Sequence, residues 1–160
     1  MLPLSSLDVY IMLAFMPLLI AAGYSDLRLM RIPNSLSIAG LVLFAATLPL
    51  LGLDAWLLRG GAGLFAFLIC FGLFAIGWFG GGDAKLLPVT FLFVPPSQLS
   101  AYLFAFAFSM ILGMSLIWIA RRFLSHPQAG WVAMQPNAQF PMGISIAASM
   151  PLSFLVGPML

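Results

Sequence analysis

Long apolar segments, separated by short stretches rich in glycine, proline or charge, occupy most of this 160-residue chain. Charged residues make up 6% of the sequence, whereas an ordinary soluble domain has roughly 25%. Because a membrane-crossing helix needs about 20 residues, the chain has room for about six such helices joined by short loops. We therefore predict an all-α integral membrane protein, a bundle of about six transmembrane helices that forms a single domain over residues 1–160.

Six segments are apolar enough to form this bundle. The fourth is the shortest, because even its extended form over residues 84–96 gives a helix of about 20 Å, against roughly 30 Å for the hydrocarbon core. The first lacks the cationic region of a signal peptide and is predicted to be a retained helix. Candidate loops cover residues 28–34, 52–63, 80–85, 94–98 and 121–137. The segments run approximately from Val9 to Tyr24, Leu36 to Leu53, Leu64 to Phe79, Leu86 to Val94, Leu99 to Ala120 and Phe140 to Val156.

Basic residues are distributed unequally between these loops. If all six segments cross the bilayer, one side has a single basic residue, Arg59, and the other side has the remaining five. By the positive-inside rule the richer side is cytoplasmic, and both termini lie outside. The net charge of +2 is then an orientation signal, and no nucleic-acid partner is expected. The five cytoplasmic residues are Arg28, Arg31, Lys85, Arg121 and Arg122.

Two of the four acidic residues, Asp26 and Asp83, fall at cytoplasmic ends of predicted helices. Asp26 alone could be a surface carboxylate beside Arg28 and Arg31. Asp83 follows three glycines and could be a helix N-cap, but the helix after it is too short to reach the bilayer surface. Ionisable groups at that depth are costly and usually functional. If brought together, the two carboxylates could share a proton and act as acid and base on one peptide bond.

Other catalytic chemistries lack the residues that they need. The single histidine, His126, lies in the fifth loop, so a histidine-based triad is disfavoured. The single cysteine, Cys70, lies in an apolar run, so neither an internal disulfide nor a cysteine-rich metal site can form. We therefore predict neither a metal nor a cofactor.

Three segments resemble the motifs of the type IV prepilin peptidases, which are membrane aspartyl proteases with a Gly-x-Gly-Asp motif. They cover residues 26–34 (DLRLMRIPN), 80–87 (GGGDAKLL) and 140–147 (FPMGISIA). The resemblance implies that Asp26 and Asp83 are catalytic. It also implies that Met142 replaces a tyrosine of many relatives, which removes a phenol near the site. The remaining motif residues, implied in substrate binding or positioning, are Pro33, Asn34, Gly80, Gly82, Lys85, Pro141 and Gly143.

The resemblance further implies a prepilin substrate, cut after a glycine at the cytoplasmic boundary of the bacterial inner membrane. Larger relatives add an N-terminal region with paired cysteines and N-methyltransferase activity. Without that region, we expect the short peptidase-only branch of Flp (tight adherence) pilus systems. Pro33 and Asn34 can also be explained as the start of a helix. Two alternatives to a peptidase remain open: a small ion or proton transporter, and a non-enzymatic subunit of a secretion or pilus machine. The sequence does not determine the oligomeric state.

Overall fold

The computed structural model describes residues 5–123, 130–135 and 137–156. No β-strand occurs in these ranges, so the predicted all-α fold is confirmed. Two short 3-10 helices, Pro96–Gln98 and Val132–Met134, accompany the α-helices, and His126 lies outside the described residues. The α-helices in the described part of the chain are α1 (Ser6–Leu29), α2 (Asn34–Ala46), α3 (Leu48–Leu51), α4 (Leu53–Ala75), α5 (Asp83–Phe93), α6 (Leu99–Phe123) and α7 (Met142–Val156).

Among the residues that the structure describes, three segments are long and apolar enough to cross a membrane: α1, α4, and Pro96–Phe123, which contains α6. The helices α2 and α7 are apolar but shorter, and α5 has 11 residues, or about 16 Å. The predicted second segment is interrupted at Thr47, the C-cap of α2, because Pro49 lacks an N–H and its ring obstructs the preceding turn. The helical membrane protein is confirmed, whereas the number of crossings and their orientation stay predictions.

The predicted loop over residues 52–63 is wrong, because α4 begins at Leu53. Its glycines and Arg59 are typical of a loop, and each glycine costs a helix about 1 kcal/mol relative to alanine. Small residues nevertheless allow helices in membranes to approach closely. Gly63 lies against the Leu92 side chain of α5, with no room for a Cβ. Packing against α5 therefore stabilises a helix that local propensity disfavours.

Glycines also lie at the contacts of α7, which packs against both α1 and α6. A Cβ on Gly23 of α1 would lie 3.2 Å from the Ala147 Cβ of α7. A Cβ on Gly113 of α6 would lie 2.8 Å from the Ser145 Oγ of α7. The last helix is thus held at nearly backbone distance from the first, although the two are far apart in the sequence.

An ion pair between Asp8 and Arg59 joins the beginnings of α1 and α4. Arg59 is 3% exposed, and its Nη1 also donates a hydrogen bond to the Phe93 carbonyl at the end of α5 (3.3 Å). The Ser5 hydroxyl donates to the Asp8 carboxylate (2.6 Å). One buried guanidinium therefore connects three helices at the end of the bundle that the sequence predicts to lie outside.

We expect Asp8→Asn to destabilise the protein by about 3 kcal/mol, because the buried Arg59 guanidinium would lose its counter-ion. Thermal unfolding in detergent measures this loss. Asp54→Asn, at an exposed position in the first turn of α4, is the matched control and should unfold like the parent. The double variant Asp8→Asn/Arg59→Met should recover part of the loss. An Asp8→Asn protein as stable as the parent would contradict the structural role of the pair.

Candidate active site

Asp26 lies in the last turn of α1 and is 6% exposed. The helix ends there because Met30 adopts the left-handed conformation (φ 50°) and its N–H bonds to the Asp26 carbonyl (2.8 Å). The carboxylate points to the beginning of α7, where the Gly143 N–H donates a hydrogen bond to Asp26 Oδ2 (2.7 Å). A Cβ on Gly143 would lie 2.9 Å from that oxygen. Only glycine therefore fits at this position without displacing the carboxylate.

Asp83 is the first residue of α5, and Gly82 occupies the N-cap position. No side-chain capping bond is made there. The alternative interpretation of Asp83 as a helix N-cap therefore does not hold. A Cβ on Gly80 would lie 2.6 Å from Asp83 Oδ2, and one on Gly82 would lie 3.1 Å from the Ile32 Cβ. The two motif glycines thus make room for the carboxylate and for the loop that follows α1.

Asp26 and Asp83 line one polar cavity of about 410 Å³. Pro33, Pro141 and Gly143 do not line it: Pro33 is the exposed N-cap of α2, whereas Pro141 and Gly143 are buried behind Asp26. The remaining lining residues come from all three motif segments and from Gln139, which precedes the third; they are Met30, Arg31, Ile32, Asn34, Gly80, Gly81, Gly82, Lys85, Gln139 and Phe140. The chain therefore places the two predicted carboxylates in one compartment.

The electrostatic environment of the cavity favours a proton on Asp83. Burial, together with the nearby negative charge of Asp26, raises the pKa of Asp83 to about 7. Asp83 Oδ1 is buried and has no hydrogen-bond partner among the described residues. Near neutral pH, Asp83 is therefore poised to exchange a proton.

Neither neighbouring arginine neutralises Asp26. The exposed Arg28 donates a hydrogen bond to the Tyr24 hydroxyl (3.0 Å), and Arg31 is also exposed. Within the described ranges, the ion pair of Asp8 with Arg59 is the only one. The description of Asp26 as a surface carboxylate paired with adjacent cations therefore does not fit its burial.

Asn34 and Lys85 connect the first two motifs across the cavity. The Lys85 Nζ donates a hydrogen bond to Asn34 Oδ1 (3.0 Å). Both side chains are exposed, and they lie at the beginnings of α2 and α5. This bond lies at the edge of the cavity, and Ile32 and Gly82 of the same two motifs are also in close contact.

The structural contacts of Arg121 were not predicted from the sequence. There, this residue counted only among the basic residues that indicate orientation in the membrane. Arg121 donates two hydrogen bonds to the Ala133 carbonyl (3.0 and 2.7 Å) and one to the Gln139 carbonyl (2.9 Å). These bonds hold the segment whose Gln139 and Phe140 line the cavity. An arginine at a helix C-terminus before a polar loop was the available signal, because a guanidinium can bond several free carbonyls.

Metal binding has no geometric support in the described part of the chain. Within it, no cluster of three or more His, Cys, Asp or Glu side chains could hold a metal ion. The expectation that the site needs neither metal nor cofactor stays a prediction.

The class defined by this geometry is a helical membrane protein with two carboxylates in a polar cavity at its helix ends. The model of the type IV leader peptidase family matches residues 13–118, and the chain belongs to this family. This confirms the family resemblance of the motifs. The matched range includes Asp26 and Asp83 and ends before Gly143.

A prepilin leader peptidase/N-methyltransferase of Bacillus subtilis (strain 168) is 36% identical to this chain over 110 residues. The similarity covers 68% of this chain and 43% of that relative, so the chain matches less than half of the relative's length. The search of solved structures found no match.

Proposed function

We propose that this chain is an aspartyl endopeptidase that removes the leader peptide of Flp-type prepilins at the cytoplasmic face of the bacterial inner membrane. In this proposal residues 1–160 act as one peptidase domain. The observation that carries it is the cavity shared by Asp26 and Asp83, formed by all three motif segments. Family membership supports leader processing, and the relative in Bacillus subtilis is named as a prepilin leader peptidase.

The two carboxylates have different roles in the proposed reaction. Asp26 acts as the general base, because the Gly143 N–H stabilises negative charge on its Oδ2. Asp83 acts as the general acid, because its pKa of about 7 keeps much of it protonated at neutral pH. The glycines at residues 80–82 form one wall of the cavity, where an extended leader can approach the backbone.

The proposed hydrolysis uses one water molecule and leaves both carboxylates unchanged. Ionised Asp26 takes a proton from water, whose oxygen attacks the scissile carbonyl carbon, while Asp83 gives its proton to the carbonyl oxygen. The resulting diol collapses as protonated Asp26 donates to the leaving nitrogen and the C–N bond breaks. Asp83 recovers its proton from a diol hydroxyl, so that a carboxylic acid and an amine leave the site.

The distribution of charge supports a cytoplasmic position for this cavity. Arg31 and Lys85, two of the five basic residues on the richer side, line it directly. By the positive-inside rule, the end of a bundle that carries such residues faces the cytoplasm. A leader that remains in the cytoplasm would meet the two carboxylates there.

The transporter alternative requires a polar path through the bundle. The buried hydroxyls of Ser109 and Ser145 instead bond each other's backbone carbonyls (2.8 and 3.0 Å), and Ser149 bonds the Ile146 carbonyl (2.7 Å). None of the three serines lines the cavity that holds the carboxylates. These contacts favour helix packing as the role of the hydroxyls, and so favour the peptidase.

We expect Asp26→Asn and Asp83→Asn each to lower cleavage at least about 100-fold, because asparagine keeps the shape of aspartate but cannot exchange its proton. Co-expression with a Flp-type prepilin, scored by the gel shift on leader loss, measures the effect. The exposed Asp54→Asn is the control and should cleave normally. If a folded, inserted dyad variant kept more than about 1% activity, that residue would not be the acid or base. If the parent itself cleaved nothing, a non-enzymatic assembly subunit would be favoured.

We expect Gly143→Ala to lower kcat about 100-fold, because the new Cβ would displace the Asp26 carboxylate and its hydrogen bond from the backbone. Gly72→Ala is the matched control, since a Cβ at that helical glycine has open space around it. Gly72→Ala should be at least as stable as the parent in a thermal unfolding assay, whereas Gly143→Ala should unfold at a lower temperature but remain folded under the assay conditions. A kcat equal to that of the parent in Gly143→Ala would remove Gly143 from the proposed site.

The pKa of Asp83 predicts how activity depends on pH. Above about 7 the protonated fraction of Asp83 falls tenfold per pH unit, so kcat/KM should fall with the same slope. Initial cleavage rates in detergent from pH 6 to 9 measure this limb, and Asp54→Asn should give the same profile. A rate that rose steadily to pH 9 would indicate that Asp83 works ionised, as the base.

We expect the chain to cleave without methylating and without a metal. Residues 1–160 contain a single cysteine, and the longest loop predicted within them has about 20 residues, below the roughly 40 at which unaided domains become plausible. Cleaved prepilin from cells without another methylase should therefore carry a free amino group, and cleavage should survive EDTA. A product about 14 Da heavier in intact-mass analysis would reveal methylation. Loss of activity with EDTA would contradict the two-aspartate mechanism.

A further inference from the structure

A second cavity, of about 500 Å³, lies between α2, α4 and α5 on the apolar surface of the bundle. Its walls include Ile38 and Leu41 of α2, Gly60, Leu64 and Phe67 of α4, and Leu92 of α5. We call it the apolar groove. The one charged residue in its lining is Lys85, at the end of the groove nearest the polar cavity. An occupant of the groove must therefore be apolar along most of its length.

The apolar groove adjoins the polar cavity. Asn34 and Lys85 line both, and their hydrogen bond (3.0 Å) forms the boundary between them. A polypeptide that passes this boundary leaves a compartment with two carboxylates and enters one with apolar walls. The two cavities thus suit a substrate that is polar at its cleavage site and apolar beyond it.

The shape of the groove suits a helix. Gly60 has open space where a Cβ would project, so the backbone of an occupant can approach α4 closely there. From Gly60 to Phe67, α4 advances about 10 Å, which corresponds to about two turns of a second helix laid alongside. Leu41 and Leu64 are 50% and 61% exposed, so they present apolar surface with no partner in the described part of the bundle.

We propose that the apolar groove binds the membrane-inserted helix of the substrate, with the cleavage site held in the polar cavity beside it. The inference rests on the proposed leader peptidase function. A lipid chain could fill the same groove. The substrate helix has the advantage because it belongs to the same polypeptide as the bound leader, which gives it a high effective concentration at the groove.

Photocrosslinking tests where the substrate helix lies, independently of cleavage. A photoreactive amino acid is placed at Leu41 or at its neighbour Val42, which is 65% exposed and does not line the groove. The Asp83→Asn protein, which should retain substrate, is irradiated with a Flp-type prepilin in mixed micelles. We expect adducts with the apolar segment of the prepilin from Leu41 and several-fold fewer from Val42. Equal yields, no adduct, or adducts only with lipid or a second copy of the chain would overturn the proposal.

A steric variant tests whether occupation of the groove matters for cleavage. Gly60→Leu fills the open space, whereas Gly61→Leu makes the same change on a face of α4 outside the groove. Each protein is assayed with the full prepilin and with a peptide that contains only the leader and cleavage site. We expect the parent and Gly61→Leu to prefer the full prepilin at least tenfold in kcat/KM, and Gly60→Leu to lose most of this preference.

The outcomes separate the two proposals. Failure of the parent to cleave either substrate would reject the peptidase function, while the crosslinks would still report on the groove. Cleavage by the parent with no preference for the full prepilin would reject the groove alone. An unchanged preference in Gly60→Leu would reject it as well.

Discussion

The hydrogen bond from the Gly143 N–H to the Asp26 carboxylate joins the first and last helices of the bundle across 117 positions of sequence. It forms because the free N–H groups in the first turn of α7 attract negative charge. It also requires a glycine, since a Cβ on Gly143 would overlap the space that the carboxylate occupies. Gly23 and Ala147 bring the same two helices together about one turn away. The position of Asp26 and the packing of α7 are therefore parts of one arrangement.

Hydrophobicity was sufficient to predict the class of fold but not the ends of every helix. The short α5 could be predicted because few apolar residues follow Asp83 before the next loop. The number of residues in a helix sets its length directly. The loop over residues 52–63 was predicted wrongly because glycine disfavours a helix in isolation and the charge of Arg59 interrupts the apolar pattern. In the bundle, Gly63 packs against Leu92, and Arg59 meets Asp8 from another helix. Both compensations are tertiary contacts, which no local pattern contains.

The candidate site could likewise be predicted only in part. Charge bias and helix ends were enough to predict that Asp26 and Asp83 face one side, and both line one cavity. The bond between Lys85 and Asn34 could not be predicted, because it depends on how α2 and α5 approach each other. Arg121 was treated as an orientation charge because its carbonyl partners come from an irregular segment whose course the sequence pattern does not define.

Aspartate has a different role at each end of α1. Asp8 and Asp26 are 18 positions apart, about 27 Å along the helix. Asp8 meets the guanidinium of Arg59, which fixes its negative charge and makes it a structural anchor. Asp26 instead shares a cavity with another carboxylate, Asp83, and no cation pairs with either within the described residues. A carboxylate paired with a cation resists protonation, whereas one of two neighbouring carboxylates that no cation pairs with can retain a proton. The arrangement of charge, rather than the number of acidic residues, thus separates the anchoring end of the bundle from the end suited to proton transfer.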